Sequence, residues 1–371
     1  MIETIHKIVI KRSQCLDLIE PDSVHLVVTS PPYPMIEMWD EIMSGQNNEI
    51  RTALDLSNGK LAFELMHMEL DKVWKEIERV VIPGGIVCIN IGDATRTINQ
   101  EFSLYPNHAR ILSSFIKMGF ANLPNIIWRK QTNAPNKFMG SGMLPAGAYV
   151  TLEHEWILVF RKGGKRLFKT EQEKLMRQKS SFFWEERNVW FSDLWDLKGT
   201  RQQIENKDSR DRSAAYPFEI PYRLINMFSV KGDTVLDPFL GTGTTSLAAM
   251  ASERNSIGIE IDHRFGKILS DRIENIDYVK LNKLINDRVL FHQAFINQEK
   301  SRHKEFKHFN NHIGMEVVTS QEKELYFNGI DDIQCLDENQ FKCRYKNIQE
   351  AILSNKVNSL KSANQYSFQF Q

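Results

Sequence analysis

A Ser-Pro-Pro-Tyr tetrad at residues 30–33 is the feature of this sequence with the most specific chemical meaning. It follows an apolar run, VHLVVT, whose β-branched residues predict a buried strand at 24–29. The two prolines fix the turn after that strand, so the Ser30 hydroxyl and the Pro31 carbonyl can both accept hydrogen bonds from one amino group. An exocyclic amine held in this way has a more tetrahedral nitrogen and a freer lone pair. The tetrad therefore fits nucleophilic chemistry at an exocyclic amine, with Ser30, Pro31, Pro32 and Tyr33 as the candidate catalytic residues. Taken alone, it is explained better by a proline-rich strand exit with a packed tyrosine, and the catalytic interpretation depends on the cofactor motif described below.

The aromatic residue of the tetrad suits the same chemistry. The ring of Tyr33 can stack on a base that has been rotated out of a duplex. Transfer of an activated methyl group to the amine then needs only in-line positioning, without a covalent intermediate.

A second chemical feature is the glycine-rich stretch DPFLGTGTT at residues 237–245. It lies between a strand-like apolar run and a segment with helical composition. Gly241 and Gly243 allow a tight turn close to a ligand, with the N-terminus of the helix behind it. Glu260 follows Gly241 by 19 residues, where a carboxylate can accept hydrogen bonds from both ribose hydroxyls. The pattern predicts a nucleoside cofactor, either a dinucleotide or S-adenosyl-L-methionine.

Other classes of enzyme match these residues less well. A Rossmann dehydrogenase has a third glycine where this chain has Ser246, and the tetrad has no role in hydride transfer. A phosphate-binding P-loop needs a Lys after its last glycine, and none follows Gly243. Methylation at cytosine C5 needs a cysteine nucleophile, and no cysteine here follows a proline. An NAD-dependent oxidoreductase stays as a distant alternative.

The elements that must position these motifs alternate between strands and helices. Further buried strands are predicted at 86–91, 125–128, 155–160, 233–237 and 256–261, and helices at 61–80, 107–118, 221–228 and 244–254. This alternation predicts an α/β fold, a doubly wound and mostly parallel sheet with helices on both faces.

Composition separates the chain into four segments. The net charge is zero overall, but residues 161–212 carry 14 Lys and Arg against 9 Asp and Glu, a local basic excess that would attract a phosphate backbone. We predict core segments at 1–160 and 213–265, a target-recognition region at 161–212 and an accessory segment at 266–371. A solvated charged loop remains the other interpretation of the basic stretch.

The sequence disfavours a membrane protein and a secreted, disulfide-bonded protein. No apolar run approaches the about 20 residues that span a bilayer, and the first residues lack the apolar core of a signal peptide. Four scattered cysteines do not form a disulfide framework. We therefore expect a cytoplasmic protein without a membrane partner.

With both motifs in place, the chain resembles the amino-methylating DNA methyltransferases of the β class, in which the catalytic motif precedes the cofactor motif. The resemblance covers about 8–160 and 210–265. It includes TSPPY, DPFLGTGTT, the stretch LDKVWKEIERVVIPGGIVCINIGD and the stretch AAYPFEIPYRLINMFSVKGD. It implies a Rossmann-like methyltransferase core that uses S-adenosyl-L-methionine on double-stranded DNA. A restriction endonuclease acting on the same site is a candidate partner, and the sequence leaves the oligomeric state open.

The resemblance also implies roles for individual residues. Pro217 and Phe218 would flank the methionine part of the cofactor, and Glu260 would hold the ribose. Gln14 stands where the family often has an Asp that contacts the adenine, a departure that weakens this position. The residues implied at the cofactor are Gln14, Pro217, Phe218, Asp237, Phe239, Gly241, Gly243, Thr244 and Glu260.

The first residue of the tetrad bears on the target base. Family members with Ser at this position usually modify cytosine N4, whereas those with Asp usually modify adenine N6. Ser30 therefore favours cytosine N4, with adenine N6 as the close alternative.

Several further signals are given structural interpretations. Trp128 is predicted either to wall the target pocket or to pack in the core. His154 opens a strand between two glutamates, where a structural role is favoured. His308 and His312 with Cys335 and Cys343 match no common zinc spacing, so no metal site is predicted.

Overall fold

The computed structural model describes residues 3–130, 139–198 and 216–351. Within these ranges an eleven-stranded sheet forms the centre of the molecule, and three two-stranded hairpins lie outside it. Strands β1 to β17 span Glu3–Ile10, Val24–Thr29, Val81–Ile91, Ala94–Ile98, Glu101–Tyr105, Phe120–Asn122, Ile126–Arg129, Met139–Gly140, Ala148–Tyr149, His154–Lys162, Leu194–Asp196, Thr234–Asp237, Asn255–Glu260, His308–Asn310, Met315–Val317, Asn328–Asp337 and Gln340–Asn347.

Ten α-helices accompany these strands in the described residues. Short 3-10 turns lie at Glu37–Trp39 and Ser320–Glu322. Helices α1 to α10 span Asp40–Ser44, Asn48–Asp55, Gly59–Val80, Asn107–Lys117, Glu171–Lys179, Trp184–Trp190, Glu219–Phe228, Thr244–Ala251, His263–Glu274 and Tyr278–Ser301.

The central sheet is mostly parallel, as the alternation of elements predicts. Its order is β11-β7-β10-β3-β2-β12-β13-β1-β17-β16, and β6 pairs with β10. The five middle strands, β3, β2, β12, β13 and β1, are mutually parallel. Only β10 and β17 oppose the common direction among the described strands of this sheet.

Helices cover both faces of this sheet, and β2 shows how its sequence specifies that arrangement. Its apolar residues alternate between two cores: Leu26 and Val28 pack with α7 to α10, whereas Val24 and Val27 pack with α2 to α4. A strand buried on both faces needs a continuous apolar run rather than a polar alternation. The run VHLVVT meets that requirement.

Most predicted elements lie within a few residues of their observed bounds, but two differ. Strand β3 begins at Val81 rather than at residue 86. The residues Pro83-Gly84-Gly85, which were expected to separate the helix from the strand, lie inside the strand and shift its register against β2. Gly84 has φ +85°, which accommodates that irregularity. Helix α8 ends at Ala251 rather than 254, with Glu253 in a left-handed turn at φ 59°.

The order of connections creates a crevice at the centre of the sheet. Strand β2 leads to β3 on one side, and β12 leads to β13 on the other. The chain therefore leaves the carboxyl ends of the adjacent strands β2 and β12 in opposite directions, which opens the sheet edge for a ligand. The tetrad follows β2 and the glycine-rich loop follows β12, so both motifs meet at this point.

The segments that composition set apart are connected to the sheet. From the segment 161–212, strand β11 pairs with β7, in parallel. From the segment 266–371, β17 pairs with β1 and carries β16 with it, while α10 packs on β16. No helix in the described residues is long and apolar enough to cross a membrane.

Candidate active site

Ser30 stands at the carboxyl end of β2, half-buried and facing a cleft. Pro31 beside it is buried, and Pro32 lines the same cleft. Thr29, the last residue of the strand, donates its hydroxyl to the Asp237 carboxylate at 2.7 Å. The end of β2 is thus bonded directly to the start of the glycine-rich loop, which fixes the separation of the two motifs.

Tyr33 points away from solvent and into a polar network. Its ring is 6% exposed, and its hydroxyl lies 3.1 Å from Ser30 Oγ. The hydroxyl donates to Glu155 Oε2 at 2.8 Å and accepts from the Asn90 amide at 2.8 Å. Burial, together with the Glu155 charge, holds the pKa of Tyr33 well above its usual value, so the phenol keeps its proton.

Glu155 is the residue on which this network converges. Besides Tyr33, it accepts from Asn90 Nδ2 at 2.7 Å and from the Lys130 ammonium. Neither Asn90 nor Glu155 was predicted as a site residue. The signal was a lone amide in the buried run IVCINI and a carboxylate opening the apolar run EWILVF, since buried polar groups need partners.

Asp237 connects β2, the glycine-rich loop and helix α8 rather than lining the cleft. It accepts from Thr29 and from the Thr245 hydroxyl at 2.6 Å, and its Oδ1 also accepts from the Phe239 amide at 3.1 Å. Burial raises the pKa of its carboxyl, and these three donors oppose that shift. The geometry indicates that Asp237 holds the loop in shape.

Glu260 lies at the end of β13 with its carboxylate bridging two backbone amides. Oε2 accepts from Gly241 N at 2.8 Å, and Oε1 accepts from Asp262 N at 2.9 Å. Burial raises the pKa of the carboxyl despite these hydrogen bonds. The side chain also lines the cleft, so its remaining lone pairs are available to a ligand there.

The cleft itself has an open volume of about 690 Å³ and runs along the carboxyl ends of β1, β2, β12 and β13. Among the predicted residues, those that line it are Gln14, Ser30, Pro32, Phe239, Gly241 and Glu260. Apolar walls with two carboxylates and a few polar groups suit a nucleoside with an apolar extension. The remaining lining residues, which were not predicted, are Ser13, Trp39, Ile42, Gln46, Pro238, Ile259, Ile261, Asp262 and Phe265.

The other predicted site residues lie outside the lining of the cleft. Pro217 is buried, and Phe218 stacks on Tyr222 with ring centroids 5.4 Å apart. Gly243 caps α8 with φ 80°, and Thr244 is buried in the first turn of that helix. Tyr33 and Asp237 stand behind the surface of the cleft in the contacts described above, and Pro31 is buried.

Trp128 and His154, which the sequence left with structural interpretations, both have packing contacts. Trp128 is 2% exposed and donates its indole N–H to the Leu197 carbonyl at 2.9 Å, which is core packing. His154 contacts the Trp156 ring edge-on. The described residues contain no group of three or more His, Cys, Asp or Glu arranged to hold a metal ion.

The conformation of Gly243 leads to a stability prediction. A Cβ at this residue would carry the strain of φ +80° and lie 2.7 Å from Leu269 Cδ2. We expect Gly243→Ala to lower the free energy of unfolding by about 1–3 kcal/mol. Urea denaturation would measure this change. Gly232→Ala is the matched control, because Gly232 has φ +84° with no atom near its Cβ. A loss no larger than that of the control would show that Leu269 simply moves aside.

Comparison with known proteins adds a family to this geometry. The family model for DNA methylases of the N6/N4 type matches residues 24–271. The Type II methyltransferase M.MthZI of Methanothermobacter thermautotrophicus is 49% identical over 349 residues, covering 93% of this chain and 96% of the relative. M.MjaI of Methanocaldococcus jannaschii is 50% identical over 283 residues, covering 73% of this chain and 92% of the relative.

Solved structures agree with the fold. A putative DNA modification methylase from Thermus thermophilus, complexed with S-adenosyl-L-methionine, is 32% identical with a TM-score of 0.56, over 72% of this chain and 92% of that one. The cytosine-N4-specific PvuII DNA methyltransferase shares the fold at 17% identity. Its TM-score is 0.51, and the match covers 76% of this chain and 91% of that one.

Proposed function

Because this chain belongs to the N6/N4 DNA methylase family, we propose that it methylates the exocyclic N4 amino group of cytosine in double-stranded DNA. The family uses S-adenosyl-L-methionine, and this membership excludes the NAD-dependent oxidoreductase considered from the glycine-rich loop. The observation that carries the cytosine assignment is Ser30 at the first position of the tetrad, facing the cleft.

The residues of the cleft fit the cofactor. Glu260 faces the cleft from the end of β13, where it would accept hydrogen bonds from the ribose hydroxyls. The side chains of Phe239 and Phe265 line the same cleft and would supply apolar walls for the adenine. Gln14, held by Gln46 in a side-chain hydrogen bond, stands at the same cleft and would contact the adenine amino group. The bound cofactor supplies the methyl group on a sulfonium.

The reaction follows from the position of Ser30. Its Oγ and the Pro31 carbonyl would accept the two hydrogens of the amino group, which concentrates the nitrogen lone pair toward the methyl carbon. The N–C bond would form as the C–S bond breaks, which leaves the sulfur as a neutral thioether, and the methylated amine would then release one proton to water. Nearly all the rate enhancement would come from positioning and from the oriented acceptors.

DNA would approach the edge of the sheet at which the strands β2 and β12 end. The connections 130–153 and 197–215 both emerge at this edge, since β7 and β11 run parallel to β3 and β10 begins there. We propose that these two connections contain the target-recognition residues. Residues 131–138 and 199–215 lie outside the described residues, and the latter contain Arg201, Lys207, Arg210 and Arg212.

The first residues of the segment 161–212 lie at the edge of the sheet where the parallel strands begin. Arg161 pairs with Ile86 near the amino end of the strands, and Lys162 donates to Asp22 at 2.8 Å. Arg166 donates to the Asp233 carboxylate, which precedes β12. These cations lie at the opposite edge from Ser30, so from the segment 161–212 we keep only the residues from 197 onward in the proposed recognition region.

Sequencing of modified bases tests the proposed function. The protein would be expressed in a bacterial host that lacks DNA methylation, beside a Ser30→Ala variant. We expect N4-methylcytosine at one short motif, absent from the variant. N6-methyladenine at a motif would keep the family mechanism and overturn the cytosine assignment. If a companion endonuclease exists, as proposed from the Type II relatives, DNA modified in this host should resist its cleavage.

A further inference from the structure

The network beneath the cleft has a defined direction of proton donation. Glu155 is only an acceptor, and its Oε2 receives both the Tyr33 hydroxyl and the Asn90 amide. If the Asn90 side chain were turned by 180°, its carbonyl oxygen would face the Glu155 carboxylate, and two acceptors would repel each other. Glu155 therefore fixes which side of the Asn90 amide faces it. Tyr33 therefore donates to Glu155, and the Asn90 amide donates both to Glu155 and to the Tyr33 oxygen.

This direction determines where the Ser30 proton points. The single proton of Tyr33 is directed to Glu155, so on the Ser30 side the phenol oxygen is an acceptor. Ser30 Oγ lies 3.1 Å from that oxygen, and the other polar neighbour, Asn90 Nδ2 at 3.5 Å, is itself a donor. The Ser30 hydroxyl therefore donates to Tyr33, and its lone pairs are left for a group in the cleft.

We propose that Tyr33 and Glu155 are positioning residues that orient the Ser30 hydroxyl, so that Ser30 acts only as an acceptor toward the target amino group. This proposal rests on the proposed function and deepens it. A hydroxyl, unlike a carboxylate or an amide oxygen, can present either a proton or a lone pair. A Ser30 proton directed into the cleft would oppose the amino hydrogens of the substrate and leave the nitrogen lone pair delocalised.

The burial of the network supports this role. Tyr33 is 6% exposed and Glu155 9% exposed, so few waters compete for their hydrogen bonds. Hydrogen bonds in such surroundings are stronger and reinforce one another along a chain. Burial and the Glu155 charge both raise the pKa of Tyr33, which keeps the donor in place over the working pH range.

The first test is Tyr33→Phe, which keeps the ring and removes the acceptor for the Ser30 proton. We expect kcat to fall about 10–100-fold, with KM for DNA and Kd for S-adenosyl-L-methionine within about twofold of the unmodified enzyme. The matched control is Tyr345→Phe. That buried hydroxyl also makes two hydrogen bonds, to Thr4 at 2.7 Å and Met250 O at 2.9 Å, but it is remote from the cleft.

Retention of full kcat by Tyr33→Phe would overturn the proposal, because the tyrosine would then serve through its ring alone. If the unmodified enzyme methylates no amino group, the proposed function itself fails. If it does and only Ser30→Ala is inactive, this inference fails while the function stands. The two failures are therefore distinguishable.

The second test uses two substitutions of Glu155. Gln keeps one oxygen for Tyr33 and Asn90 if its amide nitrogen turns toward Lys130, which is partly exposed and can move into solvent. We expect Glu155→Gln to retain kcat within about fivefold and Glu155→Met to lose about 10–100-fold. In the Tyr33→Phe background, Glu155→Met should lower kcat no further. Multiplying losses would overturn the proposal, since the two residues would then act independently.

Discussion

Replacing Ser30 with alanine should lower kcat for DNA methylation by roughly 10²–10³-fold, the range measured when one oriented group is removed from a reacting centre. The reason is that the Pro31 carbonyl alone cannot hold both amino hydrogens, so the amine stays conjugated with its ring. Transfer of a tritiated methyl group to duplex DNA at saturating cofactor would measure the change. KM should change little, because the acceptor acts mainly as the nitrogen becomes tetrahedral.

Ser23→Ala is the matched control for this substitution. Ser23 precedes β2 as Ser30 follows it, and its hydroxyl donates to the Glu20 carbonyl at the opposite edge of the sheet. Its loss should leave kcat unchanged. A Ser30→Ala enzyme that retains kcat would exclude the hydroxyl from the reaction and leave only the backbone carbonyl of the tetrad.

The parts of the fold that could be predicted are those that local sequence determines. β2 and β13 each contain a short apolar run, LVV and IGI, and α3 carries apolar residues at helical spacing over 22 residues. Because parallel strands present their carboxyl ends at one edge, the residues following β2 and β12 lie at the same edge, and the pairing of these two strands brings them close. Local pattern and topology together place Ser30, Gly241 and Glu260 in one cleft.

The parts that could not be predicted depend on contacts between distant segments. Strand β17 pairs with β1 across more than 300 residues, and its run QFKCRYKN lacks the continuous apolar character of the central strands. One side of the cleft comes from Trp39, Ile42 and Gln46, which lie around a short helix without a sequence motif. Such residues become recognisable only when tertiary packing brings them to the site.

Glu155 shows the same limit within the site itself. The sequence places it beside His154, a residue that draws more notice in a search for catalytic groups. Alternation along β10 sends the two side chains to opposite faces, and only the face of Glu155 leads to Tyr33. The choice between the neighbours depends on which face of the sheet the Tyr33 hydroxyl reaches, and that is set by the fold rather than by the local sequence.

Glu260→Gln should weaken the affinity for S-adenosyl-L-methionine by roughly 10–100-fold, as expected when hydrogen bonds lose a charged acceptor. The two backbone amides of Gly241 and Asp262 already use part of the carboxylate. An amide has one oxygen, so it cannot serve both of these donors and the ribose hydroxyls as well. Isothermal titration calorimetry would measure Kd directly, and kcat at saturating cofactor should change much less.

Glu322→Gln is the matched control, since Glu322 also bridges two backbone amides, those of Thr319 and Trp184, away from the cleft. It should leave Kd unchanged.

The pH dependence of Kd gives an independent measurement on the unmodified enzyme. Burial raises the pKa of Glu260, and the charge of Asp262 acts in the same direction. Protonation therefore removes the ribose acceptor at a pH above the usual range of a glutamate, and Kd should rise as the pH falls through that raised pKa. A Glu260→Gln enzyme with the same rise would assign the titration to another group.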